Sequence, residues 1–248
     1  MIVRQRRVPV AARRERPDAG RALRLKEVEE QLREMRSSVV CGLNQLLDLK
    51  DLSTGCHSTR LAEWAVRVGE EMGLDEEYQR NIEVACLLHD IGKIGIPDEI
   101  LRKEGPLSAA ERLVVNRHPE YGWAILRLLP GFELAGLFAL HHHERLDGAG
   151  YPAGLEGDQI PLGAKIVTVV DAFDAMVSDR CYRKGLGLSE AVRRLEADSG
   201  TQFDPCIVKR FVHLAREHVS EVSRIVEPAE RPAAPPWPSP EGSRTVRS

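Results

Sequence analysis

Apolar residues recur every three or four places along most of this chain, a spacing that builds helices rather than strands. The stretch 21–51 holds no proline, and Leu23, Leu32, Met35, Val39, Leu43, Leu46 and Leu47 fall roughly on one face. It reads as one long helix that either caps the core or pairs with a partner chain. From His57 to Met72 the stripe is Leu61, Ala65, Val68 and Met72, with Gly73 as the stop. Asp75 is placed to cap a helix through Ile82, Ala85 and Leu88 that ends at His89-Asp90. Gly92, Gly95 and Pro97 then break the chain into a loop, and Ser108 with Glu111 forms a capping-box pair opening a helix toward Asn116. Pro119 and Gly131 bracket another helix, Phe132 to His142 makes one more, and Ser189 starts a further one. Asp204-Pro205 is an N-cap followed by proline at the first helical position.

Two segments need a decision. Gly163 to Ser178 contains the β-branched run IVTVV, which suits a strand. Its length and the spacing Ile166, Val170, Phe173, Val177 favour a buried helix. Between 144 and 161 six Gly and Pro residues prevent regular structure, so this is a long loop, and a loop of that size in a compact domain is usually functional. The expected fold is all-α. A folded region over 52–220 follows the N-terminal helix 21–51, with a disordered basic leader at 1–20 and a disordered Pro-rich tail at 227–248.

Composition narrows the function. A net charge of -3 provides no global field for nucleic acid, so any anion recognition is local. No run of about 18 apolar residues exists to span a bilayer. The basic N-terminus lacks the apolar stretch of a secretory signal. The five cysteines, Cys41, Cys56, Cys86, Cys181 and Cys206, are odd in number with no CxxC pair. That pattern fits a reducing compartment, and the chain is expected to be cytoplasmic.

The chemistry lies in three pieces: His89-Asp90 in LLHDIGKIGIPD, His141 to His143 in HHHERLDGAGYPAG, and Asp171 in VVDAFDAMVSDR. Together they form a nitrogen and oxygen ligand set without thiolate, which suits Fe, Mn or Zn better than Mg or Ca. On the helical framework His57 starts one helix, His89 and Asp90 end another, His118 marks a helix junction, and His142 and His143 end a third. Helix ends can converge on one centre, so ligands distant in sequence can meet. A lone histidine is usually structural, and His213 and His218 in the last helix are read that way. Cys56 is read as a small hydrophobe, and Trp64 and Trp123 as core.

HDIGKIGIPD, HHERLDGAGYPAGLEGDQIPLGAKI and VVDAFDAMVSDRCYR together resemble the HD-GYP family, a subgroup of the HD-domain phosphohydrolases, over about 52–214. The resemblance implies an HD-domain helical bundle with a long GYP loop. It implies hydrolysis of cyclic di-GMP to linear pGpG, or on to GMP, by a metal-bridging hydroxide. The implied metal ligands are His57, His89, Asp90, His118, His142, His143 and Asp171, with Asp90 bridging; His141 is left outside. Lys93 matches a phosphate-contacting lysine, and Arg180 and Arg183 match basic positions that hold the nucleotide phosphates. Gly150, Tyr151 and Pro152 match the namesake motif, which serves fold integrity and contacts with partners such as GGDEF-type signalling proteins. Three-metal members carry a Glu where this chain has Ser53, so two divalent ions, Fe(II) or Mn(II), are expected and pGpG is the favoured product. Glu144 or Asp147 is a candidate to orient a metal-bound histidine or move a proton, with a loop salt bridge to Arg145 as the alternative. A sensor or adaptor without turnover, and a hydrolase of another cyclic nucleotide, are the other readings. A homodimer through the N-terminal helix is a further expectation.

Overall fold

The structure, a computed structural model, describes residues 19–50, 56–178 and 184–218, with only the backbone of Ala19, Gly20, Ala22, Cys56 and His57. The expected leader up to residue 18, Ser53, Arg180, Arg183 and the tail from 227 lie outside the described residues. Helices form at Ala19–Lys50 (α1), Cys56–Glu71 (α2), Glu76–Leu88 (α3), Asp98–Leu101 (α4), Ala109–Val115 (α5) and His118–Leu126 (α6). Then come Glu133–Leu140 (α7), Leu162–Val177 (α8), Leu188–Ala197 (α9) and Pro205–Glu217 (α10), with 3-10 turns at Ile91–Gly95 and Gly157–Gln159. No strand forms among the described residues; pairing is limited to isolated bridges, Asp147 with Glu156 and Ser199 with Phe203. The fold is all-α, as the periodicity predicts.

Two compact units divide the chain, 1–42 and 43–248. In the second, α8 is central and packs against α2, α3, α7, α9 and α10. Ala164, Ile166, Val167, Val169 and Val170 are all but fully buried. Burial settles the helix-or-strand ambiguity of IVTVV. A β-branched residue loses at most about 0.7 kcal/mol in helix propensity, whereas burying its side chain contributes roughly 1.5–3 kcal/mol.

Local signals terminate the helices as expected. The Asp75 carboxylate accepts from Tyr78 N at 2.8 Å. The Ser108–Glu111 capping box is complete in both directions, and Asp204 Oδ1 accepts from Cys206 N at 2.9 Å ahead of α10. The loop predicted after Asp90 is more ordered than expected, holding a 3-10 turn and the four-residue α4.

The predicted face of α1 is only partly covered. Val40 and Leu47 are buried, while Leu23, Leu32, Met35 and Leu46 are exposed. The last turn of α1 is fixed within the second unit: Lys50 pairs with Asp98, and its carbonyl accepts from Arg102 at 3.4 Å. Trp64 is core, edge-on to Phe211 at 5.9 Å between ring centres. Trp123, expected in the core, is only half-buried against Gly136 because α6 lies at the edge of the bundle.

Candidate metal centre

Each histidine of the site stands where a helix begins or ends. His89 closes α3 and Asp90 leads into the 3-10 turn that carries Lys93. His118 opens α6, and His142 and His143 follow the C-cap residue of α7, His141. Asp171 lies inside α8, and His57 is the second residue of α2. Helix ends leave backbone carbonyls without intrahelical partners, and this site uses them. His89 Nδ1 donates to Cys86 O at 2.8 Å, His118 Nδ1 to Val115 O at 2.8 Å, and His142 Nδ1 to Ala139 O at 2.6 Å. In each case the acceptor is three residues back. The bond places the proton on Nδ1 and leaves the Nε2 lone pair facing the common centre.

Those lone pairs converge. One ligand atom from each of His118, His142 and His143 lies within 4.8 Å of the others, and the same holds for His89, Asp90 and His142. His142 belongs to both groups. Nε2 of His118 and of His142 is buried with no hydrogen-bond partner. A buried ring nitrogen left so costs stability unless something else meets it. Asp90 spans the groups: one carboxylate oxygen is 3.4 Å from His89 Nε2 and the other 3.3 Å from His118 Nε2. Asp171 Oδ1 stands 3.8 Å from His89 Nε2. An all-nitrogen-and-oxygen set with orphaned lone pairs fits divalent cations, and it fits two better than one because His142 and Asp90 face both groups.

The electrostatics keep the donors in ligand form. Burial works to raise the Asp90 carboxyl, but the Lys93 ammonium at 2.8 Å holds it well below the usual carboxylate range. Burial pushes His142 well below the usual histidine value and lowers His118. It brings His143 down to about 4 despite the opposing charge of Asp171. Neutral imidazoles beside an ionised carboxylate are what a cation needs.

Close approach of backbones brings the pieces together. A Cβ on Gly92 would stand 1.9 Å from the His118 carbonyl oxygen, so the absence of a side chain there lets the HD turn press against α6. At Gly150 a Cβ would stand 2.4 Å from Arg145 N, which holds the GYP loop down on the residues after His143. Tyr151 N donates to His143 O at 3.2 Å, and the Tyr151 ring stacks on the His143 ring at 4.7 Å and 29°. The loop therefore braces a candidate ligand, while Pro152, Ala153 and Gly154 face solvent.

Glu144 and Asp147 separate in role. Asp147 forms the loop salt bridge with Arg145, through Nε at 3.0 Å and an Nη at 2.7 Å. Glu144 is buried, accepts from Ala153 N at 2.8 Å and Leu155 N at 3.0 Å, and lies 3.5 Å from His141 Nδ1. It ties the GYP loop to the end of α7. His141 thus lies beside a loop anchor and outside both ligand groups, its Nδ1 buried without a hydrogen-bond partner, and His213 is exposed on α10 beside Glu217.

Sequence reasoning missed two supports. Thr168 Oγ1 lies 2.7 Å from the His142 carbonyl oxygen and 2.8 Å from Ala164 O, joining the histidine segment to α8. Arg60, one turn beyond His57, donates to Asp174 Oδ1 at 2.6 Å and to Ser178 Oγ at 2.8 Å, locking α2 to the end of α8. Asp174 follows Asp171 by three residues, a helical neighbour spacing that marks it as a second inward carboxylate.

An HD-domain family model matches residues 42–207. A cyclic di-GMP phosphodiesterase of Thermotoga maritima is 43% identical over 184 residues, covering 73% of this chain and 50% of the relative. The cyclic di-GMP phosphodiesterase response regulator RpfG of Xanthomonas campestris pv. campestris is 43% identical over 183 residues, covering 73% of this chain and 47% of its own. The chain thus spans about half the length of these curated relatives. A cyclic GMP-AMP specific phosphodiesterase structure from V. cholerae shares the fold at a TM-score of 0.55 and 20% identity, over 77% of this chain and 53% of that one. With its helical bundle built around the adjacent His89 and Asp90, and matched over most of its length, the chain belongs to the HD-domain family.

Proposed function

We propose that this chain is a metal-dependent phosphodiesterase that opens cyclic di-GMP to linear pGpG. The observation that carries the reading is the Nε2 atom of His142, buried without a protein partner and shared by two groups of potential ligands. The substrate comes from the relatives, two of which bear the name cyclic di-GMP phosphodiesterase. The metal would be held by His57, His89, Asp90, His118, His142, His143 and Asp171, with Asp90 facing both ions. Two divalent ions, Fe(II) or Mn(II), would lower the pKa of a water between them and neutralise charge on the phosphate.

The chain's own groups do the rest. Hydrolysis adds water across one P–O3′ bond, leaving a 5′-phosphate and a 3′-hydroxyl. Lys93, whose ammonium stands against Asp90 at 2.8 Å, is placed at the rim to stabilise charge growing on the phosphoryl oxygens. Arg180 and Arg183 would orient the second phosphate by forked hydrogen bonds. Tyr151 stacked on His143 holds that ring's plane, a positioning role for the GYP motif. The exposed tip, Pro152 to Gly154, is the surface a GGDEF-type partner would meet. Ser53 in place of a carboxylate supports two ions and arrest at pGpG.

A mixed cyclic dinucleotide is the second reading. It is supported by a 3'3'-cGAMP-specific phosphodiesterase of Vibrio cholerae that is 36% identical over 195 residues, and metal ligands do not read bases. The deciding experiment purifies the protein anaerobically, loads Fe(II) or Mn(II), and resolves the products from each cyclic dinucleotide. Preferential release of pGpG, lost on chelation, supports the proposal. Faster opening of the mixed dinucleotide establishes the second reading, and no turnover with metal bound overturns both in favour of a sensor or a hydrolase of another nucleotide.

A further inference from the structure

We propose that α1 is one strand of a parallel two-stranded coiled coil that joins two copies of this chain. The inference rests on α1 alone and is independent of the catalytic reading. Leu25, Val28, Leu32, Met35 and Val39 are spaced three, four, three and four residues apart, the a and d alternation of a heptad repeat. These are not core residues: Leu25 is 60% exposed, Val28 50%, Leu32 58% and Met35 63%. The register continues through Gly42 to Leu46 and Leu49, which are also exposed. Buried Val40 and Leu47 occupy the neighbouring b positions, so the residues α1 buries and those it leaves open are different sets.

Periodicity argues for a helical partner. A seam repeating every 3.5 residues stays in line along a supercoiled neighbour, whereas a helix lying on a globular core follows 3.6. Exposed large apolar residues on the other described helices are single, as on any surface, while α1 carries a continuous row of them. The outward b, c and f positions Lys26, Glu27, Glu30, Arg33, Glu34 and Ser37 are polar. The apolar exceptions are Leu23 at an f position and the buried Val40 and Leu47 at b.

Charge identifies the partner as a second copy. With Leu25 at a, Arg24 takes g and Glu29 takes e. In a parallel, in-register pair, g meets the e position five residues on in the other chain. Arg24 then faces Glu29 of the partner subunit, an opposite-charge pair. Gln31 faces Arg36 of the partner subunit and Ser38 faces Leu43 of the partner subunit, so no like charges meet along the exposed part of the seam. Gly42 occupies a d position and leaves one layer of the seam without a side chain.

Light scattering on the eluting full chain tests this at micromolar concentration. The expected mass is twice the 27.7 kDa of one chain. Leu25→Lys with Leu32→Lys is expected to halve it, leaving the thermal transition of the 43–218 region in place, whereas the c-position control Glu34→Lys stays dimeric. Orientation is read by placing Met35→Cys and Leu25→Cys, separately, in a Cys41→Ser/Cys206→Ser background. Both should cross-link under oxidation in a parallel pair. A monomeric wild type, a tetramer, or a dimer that survives both lysines overturns the coiled coil. A doubled mass with neither cysteine cross-linking overturns the parallel register. Because the readout is mass, failure here leaves the phosphodiesterase proposal standing, and failure of turnover leaves the dimer standing.

Discussion

Asp90 shows how one residue acquires its role from its neighbours. It is a carboxylate that burial alone would protonate, kept ionised by the Lys93 ammonium beside it, with one oxygen near His89 and the other near His118. Asp90→Ala is expected to lower turnover by at least about 10²-fold and to reduce the bound metal, measured by elemental analysis of the same sample. Unchanged turnover with full metal would remove Asp90 from the mechanism. Lys93 should behave differently. Lys93→Met keeps the histidines in place, so bound metal is expected to persist while kcat falls by roughly 10–10²-fold. Loss of metal in that variant would make Lys93 a prop for Asp90 rather than a phosphate contact. Adjacent His and Asp at 89 and 90 were legible in the sequence. That Nδ1 of His89, His118 and His142 each donates to a carbonyl three residues back was not, because that bond depends on how each helix ends.

At the scale of elements, the site is a meeting of helix termini braced by a loop. Glu144 fastens the loop by accepting from Ala153 N and Leu155 N. Glu144→Ala would strand both donors and should cost about 2–4 kcal/mol, since bonds to a charged acceptor contribute roughly 1.5–3 kcal/mol each. Chemical denaturation would measure this. Glu144→Gln keeps one acceptor and should lose less; equal losses would mean that the side chain's volume, and not its hydrogen bonding, holds the loop. The loop's existence was readable from its six Gly and Pro residues, and so were the caps at Asp75, Ser108 and Asp204. Its packing was not. Tyr151 stacks on His143 only because Gly150 lets the backbone come close, a contact that periodicity does not encode. Periodicity likewise placed Leu32, Met35, Leu46 and Leu47 on one face of α1 without deciding what covers it: Leu47 is buried with Val40, while Leu32, Met35 and Leu46 stay exposed.

For the molecule as a whole, the buried histidines couple stability to pH. His143 is lowered to about 4 by burial, below the value of about 6.5 expected when unfolded. Between those values the unfolded chain binds a proton that the folded chain does not, so stability rises with pH across the window and is lost as pH falls through it. His142 and His118 shift in the same direction. Metal-free protein is therefore expected to lose stability from about pH 6.5 down to about pH 4, by about 3 kcal/mol from His143 alone. Thermal melts across that range check it, and a flat profile would show that these rings are not neutral in the folded state. Bound metal, which also requires neutral rings, should raise the melting temperature above pH 6.5 and be shed on acidification.

Helix content, the capped helix starts at Asp75, Ser108 and Asp204, and the nitrogen-and-oxygen character of the candidate ligands were determined by the sequence, because spacing, caps and side-chain chemistry are local properties. The assignment of IVTVV to a helix was also within its reach, since length and spacing outweighed β-branching. Tertiary structure alone decided which groups meet: His142 standing between two ligand groups, Thr168 set against the His142 carbonyl, and Arg60 locked onto Asp174. Those outcomes depend on distances between segments up to 114 residues apart in sequence, and only the packing of helices around α8 sets such distances.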